Sequence, residues 1–405
     1  MWTWKHRITA LTAICSIGPA AAAEIGIASF NLAWAGTEAD FARHVAVCSA
    51  AKVSWCNSRP RIAKGASVPT EAEAARAQRC QSAFDTTAGG PAAALLVAPC
   101  NAYKLSAKKW AAGPTHMYAD KIVGLRETVE KLIVDDHIDV IAFQEVRSDD
   151  VIRSVLGRFV DDFQSCVAVH SSFQTVGFAW RKTVSAVPAQ CVAAPQLSIK
   201  EDPNDNGSLK TMRPGLALSL TIGTEAVTFM NAHLKSGCAN VQTDGAFEGH
   251  LLTDPVEACQ TLNRQIAPLE AWVEDVARTT SMFVLLGDFN RRLDEEAAAR
   301  PLPTAVREDG SDPAGPNPAD LQGRVPSRYL WQELSDGKPS LVQVPLGQQA
   351  SGCTGFTGLD HILISESLRA RQDVPPVSVK TPVMQQPGQA IESSDHCPRV
   401  TKLTF

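Results

Sequence analysis

Short apolar runs, each bordered by a carboxylate, an amide or a histidine, are the feature of this 405-residue chain that most restricts its fold. Asn31 follows Ile27–Phe30, Glu145 follows Ile141–Gln144, and His233 follows Phe229–Ala232. Asp288 and Asn290 close the run Val284–Gly287, Asp360 and His361 precede Ile362–Ile364, and Asp395 and His396 precede the last apolar run. Nearly continuous apolar segments of this length read as strands buried on both faces. Polar groups at strand ends reach the loops, where several strands can present them to one face. Unpaired acids in such places are costly. A hard divalent cation held by one or two carboxylates and water would offset that cost.

The remaining pattern supports a layered α/β chain. Strands are expected at Ile25–Leu32, Ile138–Phe143, Val227–Ala232, Met282–Leu286, Leu359–Ile364 and Val400–Phe405. A further strand pair is expected at Thr175–Trp180 and Leu216–Ile222, joined across a turn-rich loop at 201–208. Helical stripes cover Lys121–Val134 and Thr261–Ala277. Residues 36–115 differ: they carry four cysteines, many alanines and a Gly-Gly-Pro break, and read as a mostly helical or irregular insertion stapled by disulfides. Residues 308–326, rich in Gly, Pro and Asp, read as a mobile surface loop.

Composition excludes some classes. Hydrophobic residues make up 44% and charged residues 20%, so the chain is neither disordered nor collagen-like. A net charge of -5 supplies no chain-wide attraction to nucleic acid, although a local basic groove or a bound cation could do so. Residues 1–23 have the layout of a signal peptide: basic Lys5 and Arg7, a short apolar run, then small residues ending at Ala23. That run is too short for a membrane anchor. The chain is therefore expected to be secreted or periplasmic. Of 11 cysteines, Cys15 lies in this leader. The rest form an even set, which in an exported chain indicates disulfides. Connectivity stays open; neighbouring pairs (Cys48–Cys56, Cys80–Cys100, Cys166–Cys191, Cys238–Cys259) are the simplest assignment.

Six motifs occur in order: SFNLAW (29–34), DVIAFQEV (139–146), NAHLKSG (231–237), LLGDFNRRL (285–293), GLDHILIS (358–365) and SSDHCP (393–398). Together they resemble the endonuclease/exonuclease/phosphatase superfamily, the fold of deoxyribonuclease I and abasic-site endonucleases. The resemblance implies a four-layered sandwich of two mixed β-sheets flanked by helices. The domain would run over 24–405, interrupted by the insertion at about 36–115. It also implies roles. Glu145 is the principal metal ligand, helped by Asn31 and by Asp395 through water. His396 is the essential histidine, and Asp360 orients it. Asp288 positions and deprotonates water, Asn290 holds the phosphate, and His233 is a candidate acid for the leaving oxygen. Which of Asp288 and His396 is the base stays open. The implied cation is Mg2+, with Mn2+ or Ca2+ as alternatives.

Taken singly, these residues have structural explanations. Asn31 and Asn290 suit turns or caps, Asp288 an N-cap, and His233 a hydrogen-bonded loop position. His361 reads as structural, because His396 already fills the catalytic position. Arg213 and Lys235 are candidate phosphate contacts. A Cys238–Cys259 bond would pin the loop after His233 to the next helix.

The reaction class is metal-dependent phosphoester hydrolysis. An exported nuclease cutting DNA, or RNA too, with little sequence specificity is the leading reading. It would grip nucleic acid through phosphates, work as a monomer and carry no stable membrane anchor. The alternative is a phosphodiesterase or phosphatase on lipid head groups or small phosphoesters, sphingomyelinase-like or inositol-phosphate-like. Basic residues near the site loops (Arg147, Arg181, Lys182, Lys210, Arg213, Lys235, Arg291 and Arg292) favour the nuclease. No loop carries the aromatic cluster expected of a membrane-active relative. A third class, an inactive binding scaffold, would be expected to lack Glu145, Asp288 or His396, and all three are present.

Overall fold

The apolar runs become two sheets that bury one face against each other. In the computed structural model, the described residues are 23–53, 68–103, 115–201, 209–241, 256–298, 330–335, 340–349 and 358–405, with positions 58, 60, 61, 63, 203, 249, 250, 252 and 254. The leader expected at 1–23, apart from its last residue, and the loop expected at 308–326 lie outside them, as does most of 201–208.

The strands are β1 (Glu24–Ala35), β2 (Ile138–Val146), β3 (Phe163–Val167), β4 (Thr175–Arg181), β5 (Gln190–Ala194), β6 (Gly215–Ile222) and β7 (Glu225–His233). They continue with β8 (Met282–Asp288), β9 (Leu341–Gln343), β10 (Leu346–Gln349), β11 (Asp360–Ser365), β12 (Ser378–Lys380) and β13 (Arg399–Thr404). One sheet has the order β10-β12-β13-β1-β2-β4-β3 and the other β5-β6-β7-β8-β11-β9. Both are mixed. β1 and β2 are parallel, as are β7 and β8, while β13 runs antiparallel to β1 and β11 antiparallel to β8.

The central core lies between the sheets. Ile27, Val140, Ala142 and Phe178 of the first meet Leu218, Phe229, Val284 and Ile362 of the second. The outer face of the first sheet is covered by the helices Thr115–Val134 and Asp149–Leu156, through Leu125, Val129, Val151 and Val155. Helix Glu257–Ala277 covers the second, placing Leu262, Ile266, Leu269 and Trp272 on one stripe. The architecture is helix, sheet, sheet, helix, the expected four layers.

Two expectations are corrected. Thr175–Trp180 and Leu216–Ile222 do not pair. β4 lies in the seven-stranded sheet and β6 in the six-stranded one, with β5 between them in sequence. Buried strands carry apolar residues on both faces, so the pattern holds no information about which sheet each joins. The pairs Cys48–Cys56 and Cys80–Cys100 are also excluded, because Cys48 bonds Cys100 across 52 residues. Loop closure grows only logarithmically with length, so nearness in sequence is a weak guide to pairing. Cys166–Cys191 and Cys238–Cys259 form as expected. Cys80 and Cys397 are disulfide-bonded as well.

Among the described residues, three helices lie between β1 and the helix Thr115–Val134: Glu38–Cys48, Glu71–Ala88 and Pro91–Ala94. The first begins with a capping box: the Thr37 hydroxyl accepts from Asp40 N, and the Asp40 carboxylate accepts from Thr37 N. Phe41, Tyr103, Tyr118 and Phe173 then pack with Ile391 into a small aromatic cluster beside the end of β1.

Candidate active site

Sheet register brings the polar strand ends together. His233 and Asp360 are both register partners of Asp288, on opposite sides of β8, and Asn31 is opposite Gln144. The carboxyl ends of both parallel pairs therefore open on one edge of the sandwich, where β11 begins and the segment before β13 passes. Gly287 permits this packing: a Cβ there would lie 1.9 Å from Ala232 O.

A cavity of about 620 Å³ opens at this edge. Its lining includes Glu145, Asp288, Asn290, Asp395 and His396 of the expected residues. It also includes Trp34, Tyr103, Ser236, Asn240, His250 and Ile391, which the sequence did not single out. His250 is held by Asp254, with Nδ1 3.2 Å from Oδ2. A lone loop histidine carries no signal that could have marked it.

Asp288 is the hub. Its Oδ2 accepts from Asn31 Nδ2 at 3.0 Å, and its Oδ1 from Asn290 N at 2.8 Å. His233 Nε2 and His396 Nε2 stand 3.6 and 3.8 Å from Oδ2. Burial first, and the charge of Asp360, push the Asp288 carboxyl up to about 6. His396 donates from Nδ1 to Asp360 at 3.0 Å, and Lys380 Nζ lies 3.9 Å from the same Asp360 oxygen. Burial opposes the charging of His396, but Asp360 and Asp288 outweigh it and push the imidazole up to about 10. The pair is an imidazolium–carboxylate line aimed at Asp288. Asn290 spends its side-chain amide on Leu234 O at 3.1 Å.

Glu145 faces this line. Its Oε2 accepts from Trp34 N at 3.0 Å, and its Oε1 is 3.7 Å from His233 Nε2. Burial, then the neighbouring Asp395, push Glu145 up to about 7. Two carboxylates beside one cavity, with the charge of Asp395 raising Glu145, form a hard oxygen donor set suited to a divalent cation. Asp288, Asp360 and His396 also place one donor atom each within 4.8 Å of one another. That trio is the poorer cage, because His396 Nδ1 is committed to Asp360, which also faces the Lys380 ammonium. Glu145 and Asp395 are the residues that could hold a metal. Asn31 Oδ1 is occupied by Ala33 N, and its amide by Asp288.

His233 is buried, and its Nδ1 has no hydrogen-bond partner among the described residues. Burial and the Arg213 charge hold it well below the usual histidine range, so its imidazole is neutral. A proton donor at this position needs the negative charge of a bound phosphate to raise it.

The two candidate phosphate contacts do not line the cavity. The Lys235 ammonium bonds Glu201 and lies 3.3 Å from Glu257 Oε1. The Arg213 guanidinium donates to Leu234 O. Other basic side chains near the loops are also engaged. Arg181 pairs with Asp139, Lys210 with Glu201, Arg291 with Glu296 and Arg292 with Glu295, and Lys182 donates to Asp161 O. Among the described residues, no lysine or arginine lines the cavity. His361 is structural: its Nε2 lies 2.7 Å from Gly358 O, and its Nδ1 3.0 Å from Gln343 Nε2.

Three supports were not visible in the sequence. Buried Gln144 donates to Asn231 Oδ1 at 2.8 Å, and Asn231 donates to Phe143 O and Gly177 O, tying the two sheets beneath the site. The buried Lys121 ammonium donates to Leu32 O at 2.9 Å and to Ser393 O, clamping the end of β1 to the loop that carries His396. Ser394 Oγ donates to Asn31 O at 2.7 Å and accepts from His396 N. Backbone strain gathers here too. Ala33, Trp34, Glu145 and Asn290 have φ of 48°, 62°, 54° and 53°. Such conformations persist where surrounding contacts over-determine them, characteristically at functional sites.

No curated protein matches the chain. Solved structures with similar folds include an endonuclease/exonuclease/phosphatase family protein from Bacteroides thetaiotaomicron, with 10% identity, TM-score 0.44, and 95% of this chain and 98% of that one covered. Truncated Caenorhabditis elegans TDP2 has 12% identity, TM-score 0.42, and 71% and 92% covered. A mannosyl-6-phosphatase of B. thetaiotaomicron has 12% identity, TM-score 0.39, and 72% and 95% covered. The family model that matches spans residues 119–396, from the helix that carries Lys121 to His396 itself, and the chain belongs to the Endonuclease/Exonuclease/phosphatase family.

Proposed function

We propose that this phosphoester hydrolase is an exported, divalent-metal-dependent nuclease that cleaves DNA, or RNA too, with little sequence specificity. The observation that carries the hydrolytic reading is the line Asp360–His396–Asp288 facing Glu145 and Asp395 across one cavity. Mg2+ is the proposed cation, with Mn2+ or Ca2+ as alternatives. When bound, it would supply electrophilic activation of a phosphoryl oxygen. Glu145 and Asp395 would hold it.

The chain's own groups do the rest. Asp288, at a proton affinity near neutrality, orients a water and takes its proton. The Asn31 amide and Asn290 N fix that carboxylate so that one geometry faces the substrate. The His396 imidazolium, held by Asp360, donates to a phosphoryl oxygen as negative charge grows there. His233 stands between Glu145 and Asp288 and passes a proton to the leaving oxygen once the phosphate's charge raises it.

What supports export is the disulfide set, in agreement with the leader read from residues 1–23. Among the described residues, no helix is long and apolar enough to cross a membrane. The proposed working unit is a monomer in the periplasm or outside the cell.

A second reading, hydrolysis of small phosphoesters or lipid head groups, is favoured by the cavity itself. Its volume is in the small-molecule range, and no lysine or arginine lines it among the described residues.

The test is hydrolysis of supercoiled plasmid, single-stranded oligonucleotide and a panel of sugar, inositol and lipid phosphoesters by the oxidised protein. Each is run with Mg2+, Mn2+, Ca2+ or EDTA, beside Asp288→Ala. Metal-dependent cleavage of nucleic acid that the variant lacks supports the nuclease. Turnover confined to the small esters overturns it in favour of the second reading.

A further inference from the structure

We propose that Trp34 forms a ring-stacking subsite that holds the base adjacent to the scissile phosphate. This inference rests on the nuclease reading and names how that substrate is gripped. Trp34 is half-buried and lines the cavity together with Glu145 and Asp395. Its amide donates to Glu145 Oε2 at 3.0 Å, so the indole starts within one residue's reach of the proposed metal carboxylate. Its carbonyl accepts from Tyr103 Oη at 2.8 Å, and its φ is 62°. A non-glycine residue in the left-handed region is strained. Here, contacts on both sides of the peptide hold it.

The ring is backed as well as placed. It stacks on Phe173 with centroids 5.8 Å apart and planes at 30°. Phe173 is buried and belongs to the cluster that contains Phe41, Tyr103 and Tyr118. The Cys48–Cys100 bond ties the segment carrying Tyr103 to the helix that carries Phe41. An aromatic surface fixed in this way loses little freedom when a planar group lands on it.

Charge explains why such a subsite is needed. With no lysine or arginine lining the cavity among the described residues, affinity beyond the bound phosphate must come from another source. Stacking on a base serves, and it tolerates any sequence because every base offers a π-face.

The probe is a 5′-labelled single-stranded oligothymidylate, compared with the same strand carrying one tetrahydrofuran abasic residue. Product lengths report cleavage beside the gap relative to cleavage elsewhere. Wild type is expected to cut about tenfold or more slowly where the base is missing. Trp34→Phe keeps that discrimination, whereas Trp34→Leu, which keeps apolar bulk without a ring, loses it. Equal discrimination in Trp34→Leu and wild type, or none in wild type, overturns the subsite while leaving the nuclease reading intact. Failure of wild type to cut either strand, with small esters still hydrolysed, overturns the nuclease reading itself.

Discussion

Asp360→Asn isolates what a buried carboxylate does for His396. In the native site His396 is pushed up to about 10, with Asp360 the largest of the raising influences and Asp288 next. At pH 8 the imidazole is then almost fully protonated. The amide keeps the shape of Asp360 but removes its charge. If the histidine falls back toward its ordinary value near 6.5, roughly 3% stays protonated at pH 8, a loss of roughly thirtyfold in the donor form. The variant should therefore lose turnover by roughly that factor at pH 8 and recover part of it at pH 6. Its alkaline limb should move from near 10 toward neutrality. The stability sign runs the same way. A group raised on folding contributes stability that is complete below pH 6.5 and is lost as pH rises through about 10. The pH-dependent part of the variant's deficit should accordingly be largest in acid and vanish toward pH 10. Lys380, 3.9 Å from the Asp360 carboxylate, adds a constant cost through its lost partner. The assay is kcat against pH from 5 to 10.5, with histidine ring titration by NMR and urea unfolding at three pH values. A variant with full turnover at pH 8 and an unmoved alkaline limb would refute the reasoning.

Metal removal should abolish hydrolysis and added Mg2+ or Mn2+ should restore it, while Glu145→Gln weakens metal binding by on the order of a hundredfold in calorimetry; unchanged affinity removes Glu145 from the ligand set. Replacing Cys48 and Cys100 by alanine opens a 52-residue loop, worth up to about 4 kcal/mol in the chain-entropy limit and less with the Cys80 disulfide intact. The midpoint of thermal unfolding should fall, and reducing agent should no longer shift it by that component. His44 is buried, with Nδ1 2.8 Å from Ala98 O, and burial lowers it to about 4. It contributes stability present above pH 6.5 and lost as pH falls toward 4, on the order of 3 kcal/mol. His44→Gln should flatten the acid side of the stability profile, and an unchanged slope between pH 6.5 and 4 would contradict it.

Much of the site was legible in one dimension because its residues close local patterns. A strand that ends in Glu145, Asp288 or His233 announces both its period and its terminal chemistry within a few residues. Local patterns do not say what meets what. Asn31 bonds Asp288 across 257 positions, and Ser394 bonds Asn31 across 363. Lys235 illustrates the limit: beside His233 it resembles a phosphate contact, yet its ammonium is taken by Glu201 and Glu257, which other segments bring in. Lys121 is the converse, a lysine on an amphipathic helix that tertiary packing turns into a buried clamp.

By itself, the amino-acid order determined the layered α/β class, the strand-end residues and their family order, because hydrophobic period and short motifs are properties of neighbours. Tertiary structure alone decided which sheet each strand joined, that Cys48 bonds Cys100, and that Arg181, Lys182, Lys210, Arg213, Lys235, Arg291 and Arg292 turn to acids and carbonyls instead of the cavity. Those outcomes are competitions among partners far apart in the chain. Packing resolves them when a buried charge must take whichever partner the fold brings within reach.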